Sequence, residues 1–149
     1  MIVKQQLYKQ CLDFVENRLK TIQNGILEIQ ESLTSETKSS AGDKHETGRA
    51  MLQLEREKIG QQLAETQKLK EVLSKIDAAK VSESVLLGGV VYTTKSNYFI
   101  AISAGELQVE KDNFYAISVN TPIAQLLMGK KEGDSINFRG TNFEVLKVM

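Results

Sequence analysis

Residues 8–33, "YKQCLDFVENRLKTIQNGILEIQESL", decide the architecture of the first half of this chain. Their apolar positions are Tyr8, Leu12, Val15, Leu19, Ile22, Ile26, Ile29 and Leu33, and the steps alternate between four and three without a break. That spacing predicts a helix with a heptad seam. Lys, Glu, Gln and Asn between the seam positions supply a solvated face. Leu7, Cys11 and Phe14 add a second apolar stripe near the start, which predicts packing against something beyond a partner helix, namely the C-terminal domain.

A second helical pattern runs through Leu52, Ile59, Leu63, Thr66, Leu69, Leu73 and Ile76. It is less regular: Arg56 takes one seam position, and three-residue steps around Thr66 resemble a stammer. Between the two patterns lies "SSAGDKHETGRA" (residues 39–50), small, polar and glycine-containing. Two similar stripes joined by such a turn predict an antiparallel helical hairpin, a coiled coil closed on itself with its tip at about 36–47. Arms of about 28 residues at 1.5 Å rise per residue would run roughly 40 Å. As a device, such a hairpin is either a spacer or an arm that presents its tip.

Glycine and proline divide the chain. Residues 1–80 contain no proline and few glycines, whereas Gly88, Gly89, Gly105, Pro122, Gly129, Gly133 and Gly140 punctuate residues 81–149 among β-branched and aromatic residues. The expected organisation is therefore a hairpin over 1–80 and a strand-rich domain over 81–149, joined near "DAAKVSES". Strands are expected near "SVLLGGVVYTT", "NYFIAIS", "LQVEKDNFYAISV", "SINF" and "FEVLKVM", with one short helix, "PIAQLLM", opened by Pro122 and closed by Gly129. The class is α+β: a hairpin followed by a small antiparallel sheet with one covering helix.

The 149 residues are 41% hydrophobic and 26% charged, with 19 basic and 19 acidic residues. A balanced charge argues against a partner held by bulk electrostatics, such as naked nucleic acid or an anionic membrane. No apolar run approaches the roughly 20 residues of a membrane span, and the N-terminus has no signal-peptide pattern. The expectation is a soluble, cytoplasmic monomer. One cysteine, Cys11, and one histidine, His45, make neither a disulfide nor a Cys/His zinc site. Cys11 reads as a small core residue.

The turn stretch carries Asp43 and Glu46, three residues apart, where the second helix begins. One reading is structural: Asp43 as N-cap and Glu46 at N3 resemble a capping box, and acids in a first turn suit the helix dipole. The other is functional: two carboxylates at the end of an arm can present themselves to one hard cation. Two carboxylates are too few to hold Mg²⁺ tightly, so that reading requires a partner already holding metal and phosphate. His45 is expected in solvent, and Lys38, Lys44 and Arg49 flank the pair as solvated or steering cations.

The C-terminal half contains no Ser/His/Asp arrangement, glycine-rich phosphate loop or metal cluster. Its "SVNTPIAQLLMGKKEGDSINFRGTNFEVLKVM" resembles the C-terminal domain of bacterial Gre-type transcript cleavage factors, which carry S-P-I-(x)n-L-x-G-K-K-x-G-D before a strand, a turn and a final strand. Thr121-Pro122-Ile123 stands at the Ser-Pro-Ile position, and Leu127-Met128-Gly129-Lys130-Lys131-Glu132-Gly133-Asp134 follows. The hairpin tip of that family, G-D-(x)2-E-N-A-E-Y, is matched by Gly42-Asp43-Lys44-His45-Glu46. The resemblance covers essentially the whole chain and marks it as a divergent member.

The resemblance implies an FKBP-like fold for the second domain. It implies docking on RNA polymerase beside its secondary channel through Thr121, Pro122, Ile123, Gly129, Lys130 and Lys131. Asp43 and Glu46 would then enter the channel and help bind a Mg²⁺ ion held by the polymerase, in a two-metal hydrolysis of backtracked RNA. On this basis the chain is not itself an enzyme, has no intrinsic cofactor, and meets the RNA 3′ end only through the polymerase. It departs from the family after Glu46, where N-A-E-Y becomes Thr47-Gly48-Arg49-Ala50, without the tip tyrosine. An alternative of the same fold is a secondary-channel regulator or inhibitor that does not stimulate cleavage. A third is a chaperone or prolyl isomerase whose pocket draws on Tyr92, Tyr98, Phe99, Phe114, Tyr115, Phe138 and Phe143.

Overall fold

The computed structural model describes the backbone of residues 2–38 and 42–149, and side chains over 3–35 and 47–149. Two long helices come first, α1 (Ile2–Lys38) and α2 (Gly42–Ser74). Tyr8 meets Leu73, and Gly25 faces Ile59 so closely that an added Cβ would lie 2.5 Å from its Cδ1. Partner numbers fall on α2 as they rise on α1, so the helices form the expected antiparallel hairpin. Among the described residues, no helix is long and apolar enough to cross a membrane.

The chain divides into two compact units, Val15–Leu69 and Met1–Phe14 with Lys70–Met149. In the first, α1 buries Val15, Leu19, Ile22, Ile29 and Leu33, five positions of the seam. Against them α2 is shallower: Leu52, Ile59, Leu63 and Leu69 are half-buried, and Arg56 is exposed. Thr66 is fully buried, its hydroxyl satisfied by donating to the Gln62 carbonyl one turn back (2.8 Å).

In the second unit, Leu7, Cys11, Leu73 and Ile76 are buried together with a six-stranded sheet. The strands are β1 (Val90–Thr93), β2 (Asn97–Ala101), β3 (Gly105–Val109), β4 (Asp112–Ser118), β5 (Ser135–Phe138) and β6 (Thr141–Val148), and helix α3 (Pro122–Leu127) lies between β4 and β5. Their order is β3-β4-β2-β1-β6-β5. One face builds a core from Val91, Tyr98, Ile100, Ile136, Phe143 and Val145 under Ala124 and Leu127 of α3. β2 is apolar on both faces: Tyr98 and Ile100 point into that core, while Phe99 and Ala101 are buried on the other side. The N-terminal turns of α1 belong to this unit, and Gln10 Nε2 donates to the Gln108 carbonyl of β3 (2.9 Å). Of the second stripe on α1, Leu7 and Cys11 are fully buried within this unit and Phe14 is half-buried.

Three features differ from the expected strand layout. "LQVEKDNFYAISV" forms a hairpin, β3 and β4 joined by Glu110-Lys111, rather than one strand. Glu110 turns with φ +56, in the left-handed region usually marked by glycine, so the turn carries no glycine signal. The strand expected from Ser84 starts only at Val90. Before it, a turn closes through the Gly89 N–H on the Leu86 carbonyl (2.8 Å), and a Cβ at Gly88 would collide with Ile76. Finally, the sheet is mixed: β2 and β4 pair in parallel and every other pair is antiparallel.

Candidate functional site

The segment from Thr121 to Asp134 is built by local hydrogen bonding. Thr121 caps α3 with φ −72 and ψ 148, its hydroxyl accepting from the Ala124 N–H (3.3 Å) and donating to the Ser118 carbonyl (2.8 Å). Pro122 follows in the first helical turn, where its missing N–H costs nothing. Gly129 stands just beyond the C-cap Met128 with φ +81, the left-handed position that ends helices. Its N–H turns to the Val85 carbonyl (2.8 Å), and Val85 N–H returns to the Lys130 carbonyl (2.9 Å). The loop after α3 is thus braced by the chain entering the sheet domain, through Val85 and the Ser84–Lys131 bridge, which no sequence signal announced.

Lys131 to Asp134 form a β-turn closed by the Asp134 N–H on the Lys131 carbonyl (3.0 Å), with Gly133 at φ +92 as a type II turn requires. The Asp134 carboxylate accepts from the Lys131 N–H (2.8 Å), locking both ends of the turn. Gly133 N–H and the Asp134 carbonyl then pair with Val145 of β6.

Pro122, Gly129 and Lys131 are exposed, while Thr121, Ile123 and Lys130 are half-buried. Ile123 packs against the sheet core and so faces partly inward. Leu126, an exposed apolar side chain, lies one turn from Pro122 and was missed. Its signal was present: Ala124 and Leu127 form the i, i+3 buried stripe of α3, which turns Leu126 outward. The resulting surface is apolar at α3 and cationic at Lys130 and Lys131.

The second motif segment opens α2. Asp43 and Glu46 stand in the helix that begins at Gly42, inside it rather than at the expected N-cap and N3 positions, and their side chains, like those of Lys38, Lys44 and His45, lie outside the described residues. Thr47 and Arg49 follow exposed and Gly48 half-buried. Among the described residues, no three His, Cys, Asp or Glu side chains gather as a metal site.

The aromatic residues mostly serve the core. Phe99 and Phe114 are fully buried, Tyr98 and Phe143 nearly so, and Tyr92 meets Phe114 edge to face at 5.5 Å. Burial raises the Tyr92 and Tyr98 hydroxyls above the usual tyrosine range. A groove along the distal hairpin is lined by Glu28, Glu31, Met51, Leu54, Glu55 and Lys58, and a cleft near Lys4 by lysines and glycines; neither has an aromatic wall.

No family model matches this chain, and no curated protein matches it. Among solved structures, that of the transcription factor Gfh1 is similar, at 18% sequence identity over 95% of this chain and 92% of that one, with a TM-score of 0.34. A likeness at this distance bears on neither partner nor activity.

Proposed function

We propose that this chain is a polymerase-binding elongation factor of the Gre type, which stimulates the cleavage of backtracked transcripts by RNA polymerase and has no nuclease activity alone. The observation that carries this reading is the placement of the two motif segments. Gly42-Asp43-Lys44-His45-Glu46 opens the second helix of a long hairpin, and Thr121–Asp134 forms a hydrogen-bonded helix and loop on a separate compact unit. An arm with acids at its turn and a domain with an apolar and cationic surface are the two parts such a factor needs.

In this reading Pro122, Leu126, Lys130 and Lys131 contact the polymerase, with Thr121, Ile123 and Gly129 holding that surface in shape. Asp43 and Glu46 bring two carboxylates to a Mg²⁺ ion held by the polymerase, which supplies the hydrolytic chemistry there. The chain's own part is to dock, to reach and to fix the spacing of two acids. It acts as a cytoplasmic monomer, bacterial in its partner, and has no intrinsic cofactor.

The test is incubation of the purified chain with a stalled, backtracked elongation complex and Mg²⁺. Shortening of the RNA beyond that seen with polymerase alone supports the proposal. One specific observation favours a second reading: Thr47-Gly48-Arg49-Ala50 replaces the family's N-A-E-Y, putting a cation where an acid stood. Binding to polymerase with slowed nucleotide addition and unchanged cleavage would assign the chain as a channel regulator instead. Nothing favours the isomerase reading, because the aromatic residues it requires are largely core residues.

A further inference from the structure

A cleft of about 310 Å³ lies where the start of α1, the chain after α2 and the turn before β1 converge, all within one compact unit. Lys4, Lys75, Lys80, Asp77 and Ser82 line it, together with residues 86–89 of the turn and Met149. It plays no part in the function proposed above and is independent of it.

Lys4 is the unusual member. Only 5% of its surface is exposed, yet it carries an ammonium with three donors. Among the described residues its Nζ makes one hydrogen bond, to the Lys80 carbonyl at 2.6 Å. Asp77 lies near enough to favour the charge, but its Oδ1 is engaged by the Ala79 N–H (2.9 Å). Burial outweighs that help and pushes the Lys4 ammonium below the usual lysine range. A cation removed from water and only partly paired is costly.

If Lys4 only tied α1 to the chain after α2, one donor would suffice and no further cations would be needed. Instead Lys75 and Lys80, both exposed, stand on the same cleft, so its side chains bring three cations against one carboxylate. The Ser82 hydroxyl accepts from the Ser84 N–H (3.3 Å) and keeps its own proton for another acceptor. The Gly88 and Gly89 N–H groups are already used, on Ile100 and Leu86 carbonyls, so recognition rests on side chains.

We propose that this cleft binds a phosphate group, with Lys4 beneath it, Lys75 and Lys80 at the rim and Ser82 donating a hydrogen bond. The volume would hold about ten waters, which is more than a bare phosphate fills. The group can therefore come from free phosphate or from a nucleotide, and the two sources share the same chemistry at the lysines.

Calorimetric titration of the full chain at fixed ionic strength tests this with inorganic phosphate, AMP and adenosine. The expected result is one saturable site for phosphate and for AMP, with none for adenosine. Tighter binding of AMP assigns the nucleotide source, and equal binding assigns free phosphate. A Lys75→Gln/Lys80→Gln variant should bind at least tenfold more weakly with unchanged circular dichroism, and Lys4→Met should abolish binding. If Lys4→Met fails to fold, the rim variant decides alone. No saturable binding of either phosphate compound, equal binding of adenosine, or unchanged affinity in the rim variant would overturn the proposal.

Discussion

The Tyr8 hydroxyl donates to the Leu73 carbonyl at 2.9 Å, joining the start of the hairpin to its end. α2 stops at Ser74, so Leu73 belongs to the last turn, whose carbonyls lack helical partners. Leu73 O also accepts from the Ile76 N–H (3.1 Å), leaving one carbonyl with two donors. Tyr8→Phe keeps the half-buried ring and removes one of them. The expected loss is about 1 kcal/mol of stability, toward the lower end because Leu73 O retains a partner. A lower urea midpoint at unchanged slope is the outcome to look for.

Gly60 lies inside α2, exposed, and a Cβ added there meets nothing within 4 Å. Glycine in a helix interior costs about 1 kcal/mol relative to alanine, through backbone freedom in the unfolded chain. Gly60→Ala should therefore raise the thermal midpoint. Gly25→Ala makes the contrast: the same helical gain is opposed by contact with Ile59 Cδ1, so it should stabilise less. Equal gains at both positions would show that the close approach at Gly25 carries no cost.

The helices were legible because burial follows a period that one residue type after another repeats. Seam positions Val15, Leu19, Ile22, Ile29 and Leu33 are buried, and even Thr66, polar and on the seam, is buried with its hydroxyl turned back to Gln62. Strand existence was legible too, but pairing was not. Whether β2 lies beside β4 in parallel depends on contacts between residues such as Tyr98 and Tyr115, whose partnership no local pattern encodes. The Glu110 turn was missed because a non-glycine residue takes a positive φ there. In the candidate site, Pro122 and Gly129 announced their backbone roles, while the bracing by Val85 is a long-range contact and left no trace in the sequence.

Cys11 is buried without a partner cysteine, and desolvation pushes its thiol from 9.0 up to about 12. The thiolate is the reactive form, so a thiol reagent at pH 8 should label native Cys11 on the order of a thousandfold more slowly than the unfolded chain. The linkage has a definite sign. The unfolded thiol loses its proton first, so this residue's contribution is intact below pH 9 and is lost as pH rises toward 12. Between pH 9 and 11 the wild type should lose more stability than Cys11→Ala does. Rapid native labelling, or identical pH profiles, would contradict the buried placement.

The acids of the hairpin tip can be tested at nearly constant structure. α2 begins at Gly42, so Asp43 lies inside its first turn; if Asp43 and Glu46 only start α2, Asp43→Asn removes a helix-dipole interaction worth less than about 1 kcal/mol and leaves every polymerase assay unchanged. Glu46→Gln should leave them unchanged too, since Gln is about as good a helix former as Glu. If the pair presents ligands to a polymerase-held Mg²⁺, each change removes a charged oxygen ligand. Transcript cleavage should then fall at least tenfold while polymerase binding and the fold, followed by circular dichroism, stay unchanged. A basic neighbour sharpens the contrast: Arg49→Glu restores an acid near the tip and should raise cleavage if charge at the metal limits the reaction. Cleavage by the wild type and neither tip variant, on a backtracked complex titrated with Mg²⁺, supports metal presentation. Equal cleavage by all three would falsify it. Absence of cleavage even by the wild type, with binding retained, would leave the arm as an obstruction in the channel and its acids as the first turn of a helix.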